Sequence, residues 1–566
     1  MFPMHGREET AAVETDVLVI GGGVSGSATA LLLRRRLPGA RIIVVEKNAA
    51  FDRKVGESTV EISSFFLARI LKLYDYLSRE QLPKQGFRYW FTSDAARTLR
   101  SASEVGPRQL ARTPSFQLDR QKLDEDLLAM ASGEGVEIWR PARVVATTLP
   151  EDGSPNAFEI ERDGVRTTVR ARWAVDASGR AATFATMMGT RRWNTEHPTS
   201  ALWARMKEVA DLDGVACSGV DPDDPWFRAV PASRRLATNH FVGHGYWWWF
   251  IPLKNGDTSV GIVWDKRFVS APGGSLEERF RSFAARNPLV SEMLRKASIR
   301  DGDIKGYGHL PYFVDRICGR GWVAVGDAAG FLDPFYSPGL DHLSFSAVDR
   351  AALIEKDLAG GGVSDAELAE SNRVFSQFFR YFFQAIYKDK YVFMGDYDLM
   401  TASFLLDTAG YYFVAVWPAY KKSFATLRVP PFGDAAAWVG FLPIRFYTRR
   451  LVRIAERRLA LGTYGKRNAG RRPRLVGFSL GAANAWMFIL GLAFWGRAEI
   501  EHAVSGAEIL LRRLRRLLYR NLADVGAAFR RPPSLALRDV LQGNFAPLRS
   551  AAPFHRRKSR PVGSSS

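Results

Sequence analysis

Apolar residues first gather over 16–20 (DVLVI), too short and too β-branched a run for a helix, and again over 41–46 (RIIVVE). Between them 27–37 carries a helical pattern that Pro38-Gly39 ends, so the order strand, helix, strand predicts a parallel βαβ unit. Residues 59–82 then read as helix, 87–91 as strand, and 118–132 as a helix whose apolar positions are Leu123, Leu127, Leu128 and Met130. Strand-rich stretches follow over 136–147 and 157–175. From about 190 to 310 strands at 236–242, 246–251 and 258–264 alternate with a helix at 276–285, and 322–325 and 344–358 return to a buried strand and a helix. After 364 the pattern is helical, aromatic and finally basic, with breaks at Pro430-Pro431 and 471–473, and no repeat runs through the chain.

Composition places the chain among globular proteins: 566 residues, 46% hydrophobic and 24% charged. Its 79 Lys+Arg against 59 Asp+Glu give a formal charge of +20, much of it late, in Arg449-Arg450, Arg457-Arg458, 471–474, 512–516 and 556–560. Such an excess steers acidic partners: nucleic acid, an anionic membrane surface or an acidic carrier protein. No zinc-finger spacing or RNA-binding aromatic signature accompanies the basic runs, so no nucleic acid is expected. Cys217 and Cys318, the only two cysteines, provide neither a disulfide framework nor a four-cysteine zinc site, which points to a reducing, cytoplasmic setting without a metal. The polar stretch 1–14 lacks an apolar signal core. Residues 475–496 carry no charge over about 20 positions, long enough to cross a bilayer, but Gly477, Ser479, Gly481, Asn484 and Gly491 dilute them; a buried or interfacial helix is favoured over a span.

Candidate chemistry begins in the βαβ unit. Gly21-Gly22-Gly23-Val24-Ser25-Gly26 follows the first strand and opens the helix, the context in which a G-x-G-x-x-G pattern carries weight. The glycines at 21, 23 and 26 allow a tight turn and close backbone approach, and the helix N-terminus at Val24 and Ser25 suits a pyrophosphate. Glu46 ends the next strand 20 residues after Gly26, where a carboxylate accepts ribose hydroxyls, with Lys47 beside it. Two small-residue turns end later strands, Asp176-Ala177-Ser178-Gly179 and Gly326-Asp327-Ala328-Ala329-Gly330. The second resembles the GD motif of the FAD-dependent monooxygenase superfamily, and Gln117-Leu118-Asp119-Arg120 resembles another of its segments. The resemblance implies FAD as cofactor, with Asp327 at the ribityl chain, Arg120 at the flavin, and Asp176, Gly179 and Gly326 in the flavin site. Only one dinucleotide fingerprint is present, Gly360-Gly361-Gly362 reading as a loop, so reduced flavin is expected from a separate reductase or a nicotinamide that docks transiently.

The expected fold is α/β: a Rossmann-type FAD-binding domain (16–190 and 311–363) with an inserted β-rich substrate domain (191–310). A helical C-terminal region (364–470) follows, then basic, partly apolar helices (471–552), with a flexible start (1–15) and a disordered tail (553–566).

Four further motifs together resemble the flavin-dependent halogenases. Lys54-Val55-Gly56-Glu57-Ser58 is similar to a loop that the family keeps beside the flavin. Pro83-Lys84-Gln85-Gly86-Phe87 aligns Lys84 with its catalytic lysine. Trp247-Trp248-Trp249-Phe250-Ile251-Pro252 matches W-x-W-x-I-P, and Phe331 to Gly339 matches F-x-x-P-x-x-S-x-G. The resemblance implies that reduced FAD and oxygen oxidise a halide and that the hypohalous acid reaches Lys84. It also implies that Trp247 and Trp249 keep the flavin from direct contact with substrate, and that Ser337 and Gly339 help bind halide. By residue type alone Lys84 also fits a solvated turn, and the tryptophans fit core packing. Tyr336 stands where tryptophan-directed members have Glu, which places the chain nearer the phenol- and carrier-protein-directed members. Pro338 stands where the family uses a backbone N–H for chloride, and proline has none. The expected activity is therefore halogenation of an electron-rich aromatic, free or on an acidic acyl or peptidyl carrier protein. The alternative is an FAD monooxygenase or desaturating enzyme acting on a lipophilic substrate at a membrane.

Overall fold

The computed structural model describes residues 12–107, 113–213, 233–421, 427–434, 437–471 and 482–529. The βαβ unit forms as its pattern predicts. Val13–Ile20 pairs in parallel with Ile42–Val45 on one side and with Val165–Asp176 on the other, and the helix Val24–Arg36 crosses between the first two. Glu137–Trp139 and Trp322–Ala324 extend the same parallel sheet at its two ends. Ile42 to Val45 are all buried because helices cover the sheet, which is why 41–46 reads as an unbroken apolar run.

A second sheet of seven strands stands beside it in the order Ser298–Tyr307, Thr199–Lys207, Thr258–Asp265, Tyr246–Pro252, Thr238–Gly243, Phe87–Phe91, Ser103–Val105. Its last two strands lie before residue 190. Phe87–Phe91 joins in parallel to Thr238–Gly243, so the substrate sheet is not confined to the expected 191–310. That pairing is non-local, and no local pattern encodes it.

The expected helix over 59–82 is broken into Glu61–Phe65, a π-helical turn Phe66–Ile70 and Tyr74–Glu80, after which Leu82–Pro83 pairs with Phe116–Gln117. The break turns Lys84 inward. The helical stretch after 364 is likewise not a separate body: the Ser103 backbone N–H donates to the Asn468 carbonyl (2.7 Å) and Asn468 Nδ2 to the Thr92 carbonyl (2.7 Å). The described residues through Ala498 form one compact unit, and those from Glu499 form another.

Of the uncharged segment 475–496, the part to 481 lies outside the described residues, as do Cys217 and the tail 553–566. From Ala482 it is helix, part of Ala482–Phe529. Met487 and Gly491 are buried, a Cβ on Gly491 would lie 2.8 Å from Leu406, and Trp486, Phe488, Ile489 and Leu492 are exposed. Of the described part, one side packs against the fold and the other is bare.

Candidate active site

The Gly21–Gly26 turn is held open by sterics. Gly21 has φ +100°, where a Cβ would lie 2.6 Å from the Ala177 carbonyl oxygen, and a Cβ on Gly26 would fall 1.8 Å from the Gly21 oxygen. The helix N-terminus therefore sits directly against the strand end and carries no side-chain cap, as a turn left open to an anion requires. Glu46 is fixed by accepting from the Gly22 N–H (2.9 Å) and from Asn48, while Lys47 next to it is exposed. Lys54 Nζ lies 3.7 Å from Asp124 Oδ2, and a Cβ on Gly23 would lie 3.3 Å from that oxygen, so a cation stands beside the phosphate turn. Gly326, at φ +56°, backs onto Ser25, whose Oγ would be 2.5 Å from an added Cβ; this contact joins the GD turn to the phosphate turn.

Arg120 bridges the flavin-side loops. Its guanidinium pairs with the buried Asp124 (2.9 Å) and donates to the Val55 carbonyl (3.0 Å), and Gly56, φ +92°, leaves room for it. Asp124, which belongs with Leu123 and Leu127 to the same superfamily-like segment as Arg120, thus supports Arg120 from one helical turn away. Burial pushes the Asp327 carboxyl up, opposed by Arg180 and Arg120.

Three expected cofactor residues turn inward. Asp176 is fully buried: Oδ1 accepts from the Ser178 N–H (3.0 Å) and Oδ2 from the Phe184 N–H (2.8 Å), so its carboxylate shapes the Gly179 turn. Glu57 pairs with Arg205, and burial holds its carboxyl at about 7. Ser58 Oγ bonds the Thr238 hydroxyl (3.0 Å). In each case a buried polar group is satisfied within the chain, as it must be.

Lys84 lies at one wall of a cavity of about 830 Å³. The side chain is 2% exposed; Nζ donates to the Thr59 carbonyl (2.6 Å) and sits 3.9 Å from the Phe87 ring centre. Burial lowers its amine to about 7, with Glu61 and Asp341 pulling the other way. A solvated turn is therefore excluded. Asp341 is held by the Ser63 N–H (2.8 Å) and the Tyr411 hydroxyl (2.7 Å), and burial raises its carboxyl to about 7. Pro338 and Tyr336 line the same cavity. Tyr336 and Ser337 both adopt left-handed backbone, φ 69° and 55°, and lead into Pro338 at the first turn of the helix Pro338–Lys356. Pro at that position forfeits a donor that the helix leaves unpaired anyway. A Cβ on Gly339 would lie 3.9 Å from Asp327 Oδ1, so one loop separates the flavin-side GD turn from the Lys84 cavity.

Alternation along Tyr246–Pro252 puts Trp247 and Trp249 on one face, in the core shared with the cofactor sheet, and Trp248 on the other. Trp247 Nε1 donates to the Tyr391 hydroxyl (2.8 Å), Tyr391 donates to Asp333 Oδ2 (2.9 Å), and that oxygen also meets His197 Nε2 (2.8 Å). The Phe335 ring packs on Trp247 at 5.1 Å between centres. The tryptophan motif and the F-x-x-P motif, 80 residues apart, are thereby one packed unit. Another wall of the cavity is a buried network missed in the sequence: Asp407 accepts from Lys390, Ser403, Tyr447 and Tyr336 (3.1 Å for the last). Apart from Tyr336, these residues come from the helical stretch after 364, where no motif marks them.

Comparison with known proteins agrees with this geometry. The FAD binding domain family matches residues 14–249. Flavin-dependent halogenase chlA of Dictyostelium discoideum is 29% identical over 359 residues, 57% of this chain and 57% of its own. The 1H-pyrrole-2-carbonyl peptidyl-carrier-protein chlorinase of Pseudomonas fluorescens is 26% identical over 62% of this chain and 76% of its own. The match to chlA and to armH5 of Armillaria mellea spans 57% and 65% of those relatives. Among solved structures, halogenase PltM in complex with phloroglucinol and FAD superposes with a TM-score of 0.68 at 17% identity, covering 86% of this chain and 96% of that one.

Proposed function

We propose, from the kinship of this chain with the flavin-dependent halogenases, that it halogenates an electron-rich aromatic bound in the cavity beside Lys84. The observation that carries the reading is the Lys84 amine, buried at the cavity wall and titrating at about 7. The flavin-side residues fit FAD: an open glycine turn with Lys54 beside it, Glu46 at the next strand end, and Arg120 and Asp327 around the isoalloxazine end. Reduced FAD with oxygen supplies the oxidising equivalents that turn halide into hypohalous acid.

The chain's own part lies at Lys84. With its amine lowered to about 7, Lys84 holds and releases a proton near neutral pH, so the group donates to the oxygen of hypohalous acid as the ring carbon bonds the halogen. The O–halogen bond breaks, the hydroxyl leaves as water, and the ring proton goes to a carboxylate, for which Glu61 and Asp341 face the same cavity. Phe87, Tyr336 and Trp417 give the cavity aromatic walls that suit a flat substrate. Trp247, pinned through Tyr391 and Asp333, is the barrier between flavin and substrate. With Pro338 lacking an N–H, halide is left to the Gly339 N–H and the Ser337 hydroxyl.

A separate flavin reductase supplies the reduced cofactor. A carrier protein, as in the name of the pyrrole chlorinase, or a bilayer would deliver an apolar substrate; Phe413, Trp417, Phe446 and Phe488, which line the cavity and are exposed, favour the bilayer. The test supplies reduced FAD, oxygen and bromide or chloride with a phenol, and separately traps hypohalous acid with a small nucleophile. Halide-dependent product that Lys84→Ala abolishes, while trapped hypohalous acid persists, is the expected result. Oxygenated product formed without halide would sink the proposal.

A further inference from the structure

The inner and outer parts of the cavity differ in kind. Lys84, Glu61, Asp341 and Asp407 give the inner part its charge, whereas Phe413, Trp417, Phe446 and Phe488 line it and are also exposed. Phe413 is 75% and Phe446 60% exposed. On the helix Ala437–Ala460, Trp438, Leu442 and Phe446 recur every fourth residue and make one ridge, 57%, 54% and 60% exposed. Ile489, 54% exposed, follows Phe488 of the cavity lining on the helix that begins at Ala482. Apolar residues scattered singly need no explanation, but Phe413, Trp417, Phe446 and Phe488 share one cavity, and Phe446 also belongs to the helical ridge.

We infer that this face docks on a lipid bilayer with anionic headgroups and that the cavity takes a lipophilic aromatic dissolved in it. The substrate half rests on the flavin-enzyme reading above. Charge complementarity selects the occupant. Beyond Phe446 the same helix presents exposed Arg449 and Arg453, and the whole chain carries +20. Aromatic side chains followed by arginines match the acyl boundary and the phosphate layer of a bilayer.

The second compact unit, considered by itself, has the same character. In the helix from Glu499 onward, Ile500, Val504, Leu511, Leu514 and Leu518 are exposed at helical spacing, with exposed Arg513, Arg515 and Arg516 between them. An apolar stripe against an arginine face is the pattern of an interfacial helix. A second copy of the chain fits the later half of this stripe less well, because every charged residue from Leu510 to Leu518 is an arginine and two copies in parallel register would bring like charges together there. The protein sits on the bilayer rather than crossing it: among the described residues the single helical run long and apolar enough to span, Tyr397–Lys421, is 72% buried inside the fold.

Flotation of the full-length, FAD-loaded protein with vesicles of phosphatidylcholine alone or with phosphatidylglycerol tests this directly. Binding to the anionic vesicles, at least tenfold weaker to the neutral ones and weakened by salt, is expected. The triple variant Trp438→Gln, Leu442→Gln, Ile489→Gln alters side chains outside the cavity lining. It should lose at least tenfold in vesicle binding and in turnover of dodecylphenol presented in vesicles, while keeping its bound flavin and its turnover of a water-soluble phenol. Wild-type protein that loads FAD and does not float, or a variant equal to wild type on vesicles, overturns the inference. So does light scattering that finds a dimer which the variant turns into a monomer, since the ridge would then cover a second copy. If neither phenol is halogenated while flotation behaves as expected, the reading of the reaction fails and the docking stands.

Discussion

Replacing Lys84 by methionine removes an ionisable group that the fold holds against its own charge, and the effect on stability must depend on pH. The folded amine titrates at about 7 because burial disfavours its cation, Glu61 and Asp341 recovering only part of the loss. Unfolded, the same amine holds its proton up to about 10.4. Above both values it is neutral in both states and affects stability not at all. As pH falls from 10.4 to 7 the unfolded chain binds a proton that the folded one does not, so wild-type stability is progressively lost, and below 7 the loss is complete. At about 1.4 kcal/mol per pH unit the loss approaches 5 kcal/mol, an upper figure because water in the cavity relieves part of the burial. The variant escapes it but forfeits the bond from Nζ to the Thr59 carbonyl, which costs about 1 kcal/mol at every pH. Urea denaturation at pH 6, 8 and 10 should therefore find the variant slightly weaker than wild type at the highest pH and stronger by several kcal/mol at the lowest. A difference between the two proteins that stays constant with pH would refute the burial of the amine and, with it, its poise as a proton donor.

Gly26→Ala drives a Cβ to within 1.8 Å of the Gly21 oxygen, a backbone atom that cannot step aside, so at least tenfold weaker FAD binding is expected by flavin fluorescence titration; unchanged affinity would remove the turn from the cofactor site. Asp341→Asn takes a carboxylate away from Lys84, whose titration then moves further below 7; the alkaline limb of the kcat–pH profile should shift to lower pH, and an unmoved limb would uncouple the two residues. Pro338→Ala restores a backbone N–H at the start of the helix, and halide should saturate the enzyme at lower concentration; an equal or higher halide KM would show that this position does not touch the ion. Trp247→Phe deletes the bond to Tyr391 and should cost about 1 kcal/mol or more in thermal unfolding, with halide-independent oxygenation rising if the indole is the barrier. A variant as stable and as selective as wild type would leave Trp247 an ordinary core residue.

Local physics decided what the sequence could show. The phosphate turn was legible because Gly21 takes a left-handed backbone and Gly26 must clear the Gly21 oxygen, demands made within a few residues, and the strands around it because burial on both faces leaves an unbroken apolar run. The pairing of Trp247 with Trp249 against Trp248 follows from strand alternation alone. What the sequence did not contain are the contacts made across long separations. Phe87–Phe91 joins a sheet that lies mostly beyond residue 190, and Asp333 and Asp407 become site residues only through the partners that folding brings to them. Asp176, Glu57 and Ser58 sit in motifs that the sequence singles out, and the tertiary structure adds the partners within the chain that buried polar groups require. The charge state of Lys84 is the clearest case: its motif gives the amine, and only the surrounding fold, by excluding water from it, moves that amine into the range where it can hold and release a proton near neutral pH.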